Sequence, residues 1–315
     1  MKYPVFKKFF AVITAAAVAV MPLAGTVYAN EADSVLETAL ASYDFDDYQT
    51  DGNSLTDGTH VLALETRGSG TAPTLVDDPD TEYGRGQVLQ LNSASYANNG
   101  YALLPENPFE GRSVENGFTL NFWAKTNGVL SDANEYKYRN LIDFEVYPEA
   151  DSSTSTDGAR AGTFAVNQAM IYWNTTNQNG NFMDFDTSNL GLSTQDTWKM
   201  VTIALTTDGL AVYSDGKKIE TSITASNATN YERMIRDLAG ELLDEDGQKT
   251  NVRLGTSLAR HWNCAKALLD DVSFYGKALT AAEVKTLYNE TKVKVDLESI
   301  TISGDTAVDA GKTIQ

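Results

Sequence analysis

Short runs of apolar residues repeating every second position constrain this chain more than any other feature. In Phe118-Thr-Leu-Asn-Phe-Trp-Ala124 the residues Phe118, Leu120, Phe122 and Ala124 share one face, the period of a strand rather than a helix. Trp198–Leu205 forms a second such run, apolar on both faces, and Leu210–Ser214 a third. Thr206-Thr-Asp-Gly209 joins these two with the Asp-Gly of a tight hairpin, and Asp215-Gly216 opens another turn into Lys217–Ser222. Further strands are predicted at Leu40–Asp46, Gln87–Leu91, Tyr101–Leu104, Asn140–Glu145, Gly162–Val166, Met170–Trp173, Val252–Gly255 and Ala267–Tyr275. Roughly a dozen short strands between turn signals imply an all-β fold, a two-sheet antiparallel jelly-roll sandwich.

Two short helices interrupt this pattern. Thr280-Ala-Ala-Glu283 is a capping box, followed by an apolar face of Val284, Leu287 and Tyr288. Asn230–Leu243 places Tyr231, Ile235, Leu238 and Leu242 on one side and ends in the polar turn Asp244–Gly247. Asp151–Gly158 has the composition of an exposed loop.

The termini differ from this body. Lys2, Lys7 and Lys8 precede the apolar run Phe9–Leu23, and Val27-Tyr28-Ala29 has small residues at both ends of a cleavage triplet. Residues 1–29 are expected to be a signal peptide, because the run is short for a membrane span and is broken by Pro22 and Gly25. The expectation is therefore a secreted, extracellular bacterial protein, with a cell-surface attachment only through a part beyond this sequence. No second long apolar stretch follows, so no membrane insertion is expected after cleavage. The chain holds 24 Lys and Arg against 43 Asp and Glu, a net charge of −19. Removing the three leader lysines leaves 21 basic residues and −22. Such an acid excess argues against nucleic acid or an anionic membrane as partner, since both need clustered cations. The single Cys264 excludes a disulfide framework, and the two histidines, His60 and His261, lack metal-site spacing. A monomer is expected.

Six landmarks then occur in order: Leu40–Asp46, Gly86–Asn92, Phe118–Trp123, Trp198–Ile203, Val212–Lys217 and Leu269–Thr280. Their sequence and order resemble the laminin-G-like jelly rolls of the concanavalin A-like lectin/glucanase superfamily, across the segment 30–292. The tail Leu297–Gly304, with Val308, Gly311 and Lys312, resembles the start of a bacterial group-2 Ig-like domain, so residues 293–315 read as a truncated β unit and the natural chain is expected to continue. The first resemblance implies two sheets, one of them concave, with a ligand site on the concave face or in its rim loops. It also implies a structural Ca2+ ion where the first and last strands meet. Many such modules accompany polysaccharide-degrading domains in secreted bacterial enzymes, and others serve adhesion.

The residues argue against catalysis. A retaining glycosidase needs two carboxylates about 5–5.5 Å apart, and the glucanase-type strand carries Glu-hydrophobic-Asp-x-Glu. Here the run is Leu141-Ile-Asp143-Phe-Glu145, with Leu141 at the nucleophile position. Asp143 and Glu145 then read as the polar face of a half-buried, non-catalytic strand. No Gly-x-Ser-x-Gly elbow or P-loop is present. Gly84-Arg-Gly86 reads as a turn before a strand, and Cys264 as a lone thiol despite nearby His261.

For calcium, a hard cation wants several oxygen ligands. Asp44, Asp46 and Asp47 end the first predicted strand and Asp270 and Asp271 lie in the last, with Asp46, Asp270 and Asp271 the candidate ligands. Asp51, Asn53 and Asp57 are a second oxygen-rich run. The alternative is that all are solvated turn acids.

For a polysaccharide or other glycan, the chemistry required is an aromatic face for sugar C–H groups beside planar polar groups for hydroxyls. Trp123 and Trp198 fall within strands and are assigned to packing. Trp173 and Tyr172 stand at a strand end before the polar run Asn174–Asn179, and Arg260-His-Trp262-Asn263 is a predicted loop. The candidate ligand-binding residues are therefore Trp262, Arg260, Asn263, Trp173 and Tyr172, with Tyr136 and Tyr138 as weaker ones; each Trp could instead cap the sandwich edge. The expected function is a secreted non-catalytic carbohydrate-binding module, the N-terminal part of a larger glycan-degrading protein. The alternatives are an adhesion or spacer module with a protein partner, and a glycoside hydrolase with an unrecognised carboxylate pair.

Overall fold

A computed structural model describes residues 34–80, 82–92, 98–126, 139–146, 163–174, 182–192, 196–225, 229–240, 250–256 and 265–292. The leader and Ig-like segments expected at the two ends lie outside them. In chain order the strands are β1 (Ala41–Tyr43), β2 (Gln49–Asp51), β3 (Ser54–Thr56), β4 (Val61–Arg67), β5 (Thr74–Asp77) and β6 (Gln87–Leu91). They continue as β7 (Asn99–Leu103), β8 (Phe118–Thr126), β9 (Asn140–Val146), β10 (Thr163–Asn167), β11 (Met170–Asn174) and β12 (Phe182–Asp186). The last are β13 (Lys199–Leu205), β14 (Leu210–Ser214), β15 (Lys217–Lys218), β16 (Ser222–Ala225), β17 (Thr250–Leu254) and β18 (Ala267–Tyr275), with helices α1 (Tyr231–Leu238) and α2 (Ala281–Thr291).

These strands make two antiparallel sheets. The smaller runs β15-β14-β13-β8-β18-β6-β5, with β1 beside β18; the larger runs β16-β12-β11-β10-β9-β17-β7-β4-β3-β2. The first and last strands are neighbours, Ala41 opposite Phe274 and Tyr43 opposite Val272. Alternation decides what each face meets. Phe118, Leu120, Phe122 and Ala124 of β8 join Val201, Ile203 and Leu205 of β13 in the main core, together with Phe144, Phe164, Ile171, Trp173 and Phe185 from the larger sheet. Phe109 links the two sheets, stacked 4.5 Å from Phe118 and 5.7 Å from Phe144 between ring centroids.

The other face of the smaller sheet is also dry. Trp123, Trp198, Met200, Tyr213, Leu268 and Tyr275 pack with Val284 and Leu287 of α2 in a second cluster. Hence β8 is buried on both faces along its whole length and β13 nearly so, as expected for strands covered twice. α2 starts where the capping box predicts: the Thr280 hydroxyl accepts from the Glu283 N–H, and the Glu283 carboxylate accepts from the Thr280 N–H. α1 is shorter than the sequence pattern suggests. It ends at Leu238 because Gly240 takes a left-handed φ of 72°, and Leu242 lies outside the described residues. No described helix is long and apolar enough to cross a membrane.

Candidate functional site

Trp173 faces the core. Its side chain is fully buried, and its indole N–H donates to Asp237 Oδ2 of α1 at 3.0 Å. The expectation that it presents a ring to a ligand is thereby corrected: Ile171 and Trp173 share the inward phase of β11, so the strand does not end with an exposed aromatic. Tyr172 has the opposite phase and lies on the outer face of the larger sheet, where it too is buried, at 6% exposure. Arg260, Trp262 and Asn263, and with them Tyr136 and Tyr138, fall outside the described residues.

The outer face is built by register across seven strands. Arg253 of β17 opposes Asp143 of β9, Asp143 opposes Ala165 of β10, Ala165 opposes Tyr172 of β11, and Tyr172 opposes Asp184 of β12. One half of this face is apolar: Ala165, Met170 and Tyr172 cluster apart from the main core with Phe182, whose ring stacks on Tyr172 at 6.4 Å and 17°. The other half is polar. Glu145 Oε2 accepts from Arg253 Nη1 at 3.1 Å, the Arg253 guanidinium lies 5.7 Å from the Tyr101 ring, and the Tyr101 hydroxyl donates to Glu65 of β4. Burial, then the Glu65 carboxylate, push the Tyr101 phenol up. Burial alone pushes the Asp184 carboxyl up to about 6.

Asp143 and Glu145 are both fully buried, which corrects the expectation of a half-buried strand. Both stand on the outer face, while Leu141 joins the main core cluster. A β-bulge explains its departure from strict alternation. Val166 opposes Ile142, but Asn167 opposes Asn140, so the register slips across Leu141. At that slip Asn140 and Asn167 are both fully buried, and neither Oδ1 nor Nδ2 of either has a hydrogen-bond partner among the described residues. These outer-face polar groups were missed as a group in the sequence. The one available signal was the i, i+2 spacing of Asp143 and Glu145.

Two of the three proposed calcium ligands, Asp270 and Asp271, do meet, but around an arginine. Arg85 is fully buried, and its Nη1 donates to Asp270 Oδ2 and Asp271 Oδ2, both at 3.0 Å. Its Nη2 donates to the Thr291 carbonyl at 2.9 Å, and its guanidinium carbon lies 3.7 Å from the Trp123 ring centre. Asp46 Oδ1 instead accepts from the Gln87 N–H at 3.1 Å. A Cβ on Gly86 would come within 2.4 Å of that oxygen, and with φ of 69° the position favours glycine. This arrangement does not fit a calcium ion on Asp270 and Asp271: the guanidinium already supplies their counter-charge, and a dication there would be driven against it. Among the described residues no group of three His, Cys, Asp or Glu side chains is arranged to hold a metal.

Among solved structures the chain is similar to the binding domain of Paraclostridial Mosquitocidal Protein 1, at 17% identity and a TM-score of 0.44, over 82% of this chain and 53% of that one. It is also similar to the botulinum neurotoxin serotype G binding domain, at 15% and 0.45, over 80% and 51%. A third is the binding domain of botulinum neurotoxin DC in complex with rat synaptotagmin II, at 14% and 0.44, over 82% and 52%. The chain spans about half the length of these solved chains. No curated protein matches it. The family model Laminin_G_3, described as the concanavalin A-like lectin/glucanases superfamily, matches residues 96–285, and with two antiparallel sheets in the order given above the chain belongs to that superfamily.

Proposed function

We propose that this chain is a non-catalytic binding module whose ligand is a glycan, held against the outer face of the larger sheet. The observation that carries the reading is the division of that face: an apolar strip of Ala165, Met170, Tyr172 and Phe182 beside a polar wall of Asp143, Glu145, Arg253, Tyr101 and Glu65. A pyranose ring has the same two-sided character, with C–H groups that pack on aromatic surface and hydroxyls that bond planar polar groups. Leu141 at the nucleophile position and the Arg253–Glu145 ion pair support binding without hydrolysis, since the two-carboxylate mechanism lacks one member. Arg260, Trp262 and Asn263 join the reading as the candidates for a second aromatic contact and its polar partners. The basic, apolar leader supports secretion, and the module would tether a larger extracellular glycan-degrading protein to its substrate by raising effective concentration.

The test is a glycan array probed with the chain, followed by Tyr172→Ala and Trp262→Ala on the strongest hit. Loss of about tenfold or more in affinity in both variants, with unchanged circular dichroism, is the expected result. A blank array from folded protein would overturn the reading and favour a protein partner. Release of sugar from the hit would show hydrolysis.

A further inference from the structure

From the exposure of the outer face we infer that the glycan is read at the β12–β16 end of the apolar strip, with a sugar ring on Phe182 and two neighbouring hydroxyls on Asp184 and Thr224. This rests on the glycan-binding reading above. Ala165, Met170 and Tyr172 are 0%, 6% and 6% exposed, so they offer a ligand almost no surface. Phe182 and Asp184 of β12 are partly exposed, and Ser222 and Thr224 of β16 are exposed. Register puts them on one face: Tyr172 opposes Asp184 and Asp184 opposes Thr224, while Met170, Asp186 and Ser222 form the next row. Phe182 lies about 7 Å along β12 from Asp184, and Thr224 about 5 Å across from it.

The Tyr172 ring, itself buried, stacks on Phe182 and fixes its orientation, so Tyr172 is a positioning residue and Phe182 the surface a ligand meets. Asp184 supplies the polar half. Its Oδ1 is buried with no hydrogen-bond partner among the described residues, which leaves Oδ2 as the oxygen within reach of a ligand. Burial alone pushes this carboxyl up to about 6, and no cation among the described residues opposes the shift. The titratable groups beside it on this face are Tyr172 of β11 and Asp186 of β12, whereas β16 presents the hydroxyls of Ser222 and Thr224. An ionised carboxylate only accepts, while the Thr224 hydroxyl both donates and accepts. Two neighbouring hydroxyls on a pyranose suit that pair: one donates to Asp184 Oδ2, and the other exchanges a hydrogen bond with Thr224. The C–H face of the same ring then covers Phe182. A hydroxyl that donates to the carboxylate also supplies some of the solvation that burial beside two aromatic rings removes.

Three readouts on the whole chain, with the strongest glycan from the array as probe, test this. Phe182→Leu, which keeps an apolar side chain but no ring, and Asp184→Ala should each bind about tenfold more weakly, and Thr224→Val about threefold. Without glycan, Asp184→Asn and Thr224→Val should melt within about 2 °C of wild type or above it, since neither removes a contact that holds the fold. These two also carry the binding test should Phe182→Leu fail to fold. Wild-type affinity should drop about threefold or more from pH 7 to pH 5, as Asp184 takes up a proton and stops accepting as an anion. Asp184→Asn should bind more weakly than wild type at pH 7 and show no such drop. Asp237 on α1 titrates in the same range, and a drop that persists in Asp184→Asn would trace to it and overturn the proposal. Variants that bind normally would overturn it too, as would a wild-type affinity that is flat or rises toward pH 5, or melting several degrees lower in Asp184→Asn. A wild-type chain that binds no glycan at all would overturn the underlying reading, and the proposal with it.

Discussion

Arg85 sits in Gly84-Arg-Gly86, which the sequence marks as a turn before a strand, yet it is sealed between the smaller sheet and α2. Two aspartates, a carbonyl and the face of Trp123 surround it. Nothing in the local sequence signals this, because its partners are 185 and 186 residues away. Removing one member of a buried ion cluster strands the others. Arg85→Ala should therefore lose about 3–5 kcal/mol in urea unfolding. Arg85→Met with Asp270→Asn and Asp271→Asn should recover most of that, since the uncompensated charges go too. Asp237 gives a second residue-scale prediction. Burial pushes its carboxyl up to about 6 from 3.8, against the opposing pull of Arg233 and the Trp173 N–H. Between those values the folded chain holds a proton that the unfolded chain has released, so this group lowers stability as pH rises from about 4 to about 6. Asp237→Asn should gain on wild type across that window, by on the order of 2 kcal/mol, and the gain should level off above pH 7. Urea midpoints measured at pH 4, 5, 6 and 7 check the sign.

At the scale of elements, legibility followed burial. β8, β13, β14 and β18 carry continuous or alternating apolar residues and were read to within two residues of their ends. β2, β4 and β5 were not read: β2 is exposed along its length and β5 is exposed at both ends, so a hydrophobic pattern has little to mark. β12 was missed for a different reason. Met183 and Phe185 do alternate into the core, but Asp184 and Asp186 between and after them have the composition of a turn. α2 was legible because its start rests on local chemistry. The Lys277 ammonium and the Thr280 N–H hold the Glu283 carboxyl down at about 2. That contribution is present above the ordinary carboxylate value of 4.5 and is lost as pH falls through it toward 2. Thr280→Ala should cost about 1 kcal/mol at pH 7. Because α2 covers Trp123 and Trp198, the variant's near-ultraviolet signal should fade at lower urea together with the far-ultraviolet one.

For the whole molecule, the order of landmarks along the chain carried the fold, and the face proposed to hold a ligand was largely hidden. The residues of that face come from positions 65, 101, 143, 165, 172 and 253, joined only by strand register. A loop with a tryptophan attracts attention in a sequence; an aspartate beside an alanine three strands from a glutamate does not. The same limit applied to the expected calcium. Neighbourhood of the first and last strands was read correctly, and Asp270 and Asp271 do meet there, but the counter-ion is an arginine from a turn that pattern reading treated as punctuation. The consequence is measurable. If Arg85 supplies the positive charge, saturating Ca2+ and an excess of EGTA should give melting temperatures within about 1 °C of each other, since an ion that does not bind the folded state adds no stability. In the Arg85→Met variant the two aspartates lose their partner, and Ca2+ should then raise the melting temperature above the EGTA value. A rise of several degrees in the wild-type chain would show instead that an ion is held elsewhere on the fold.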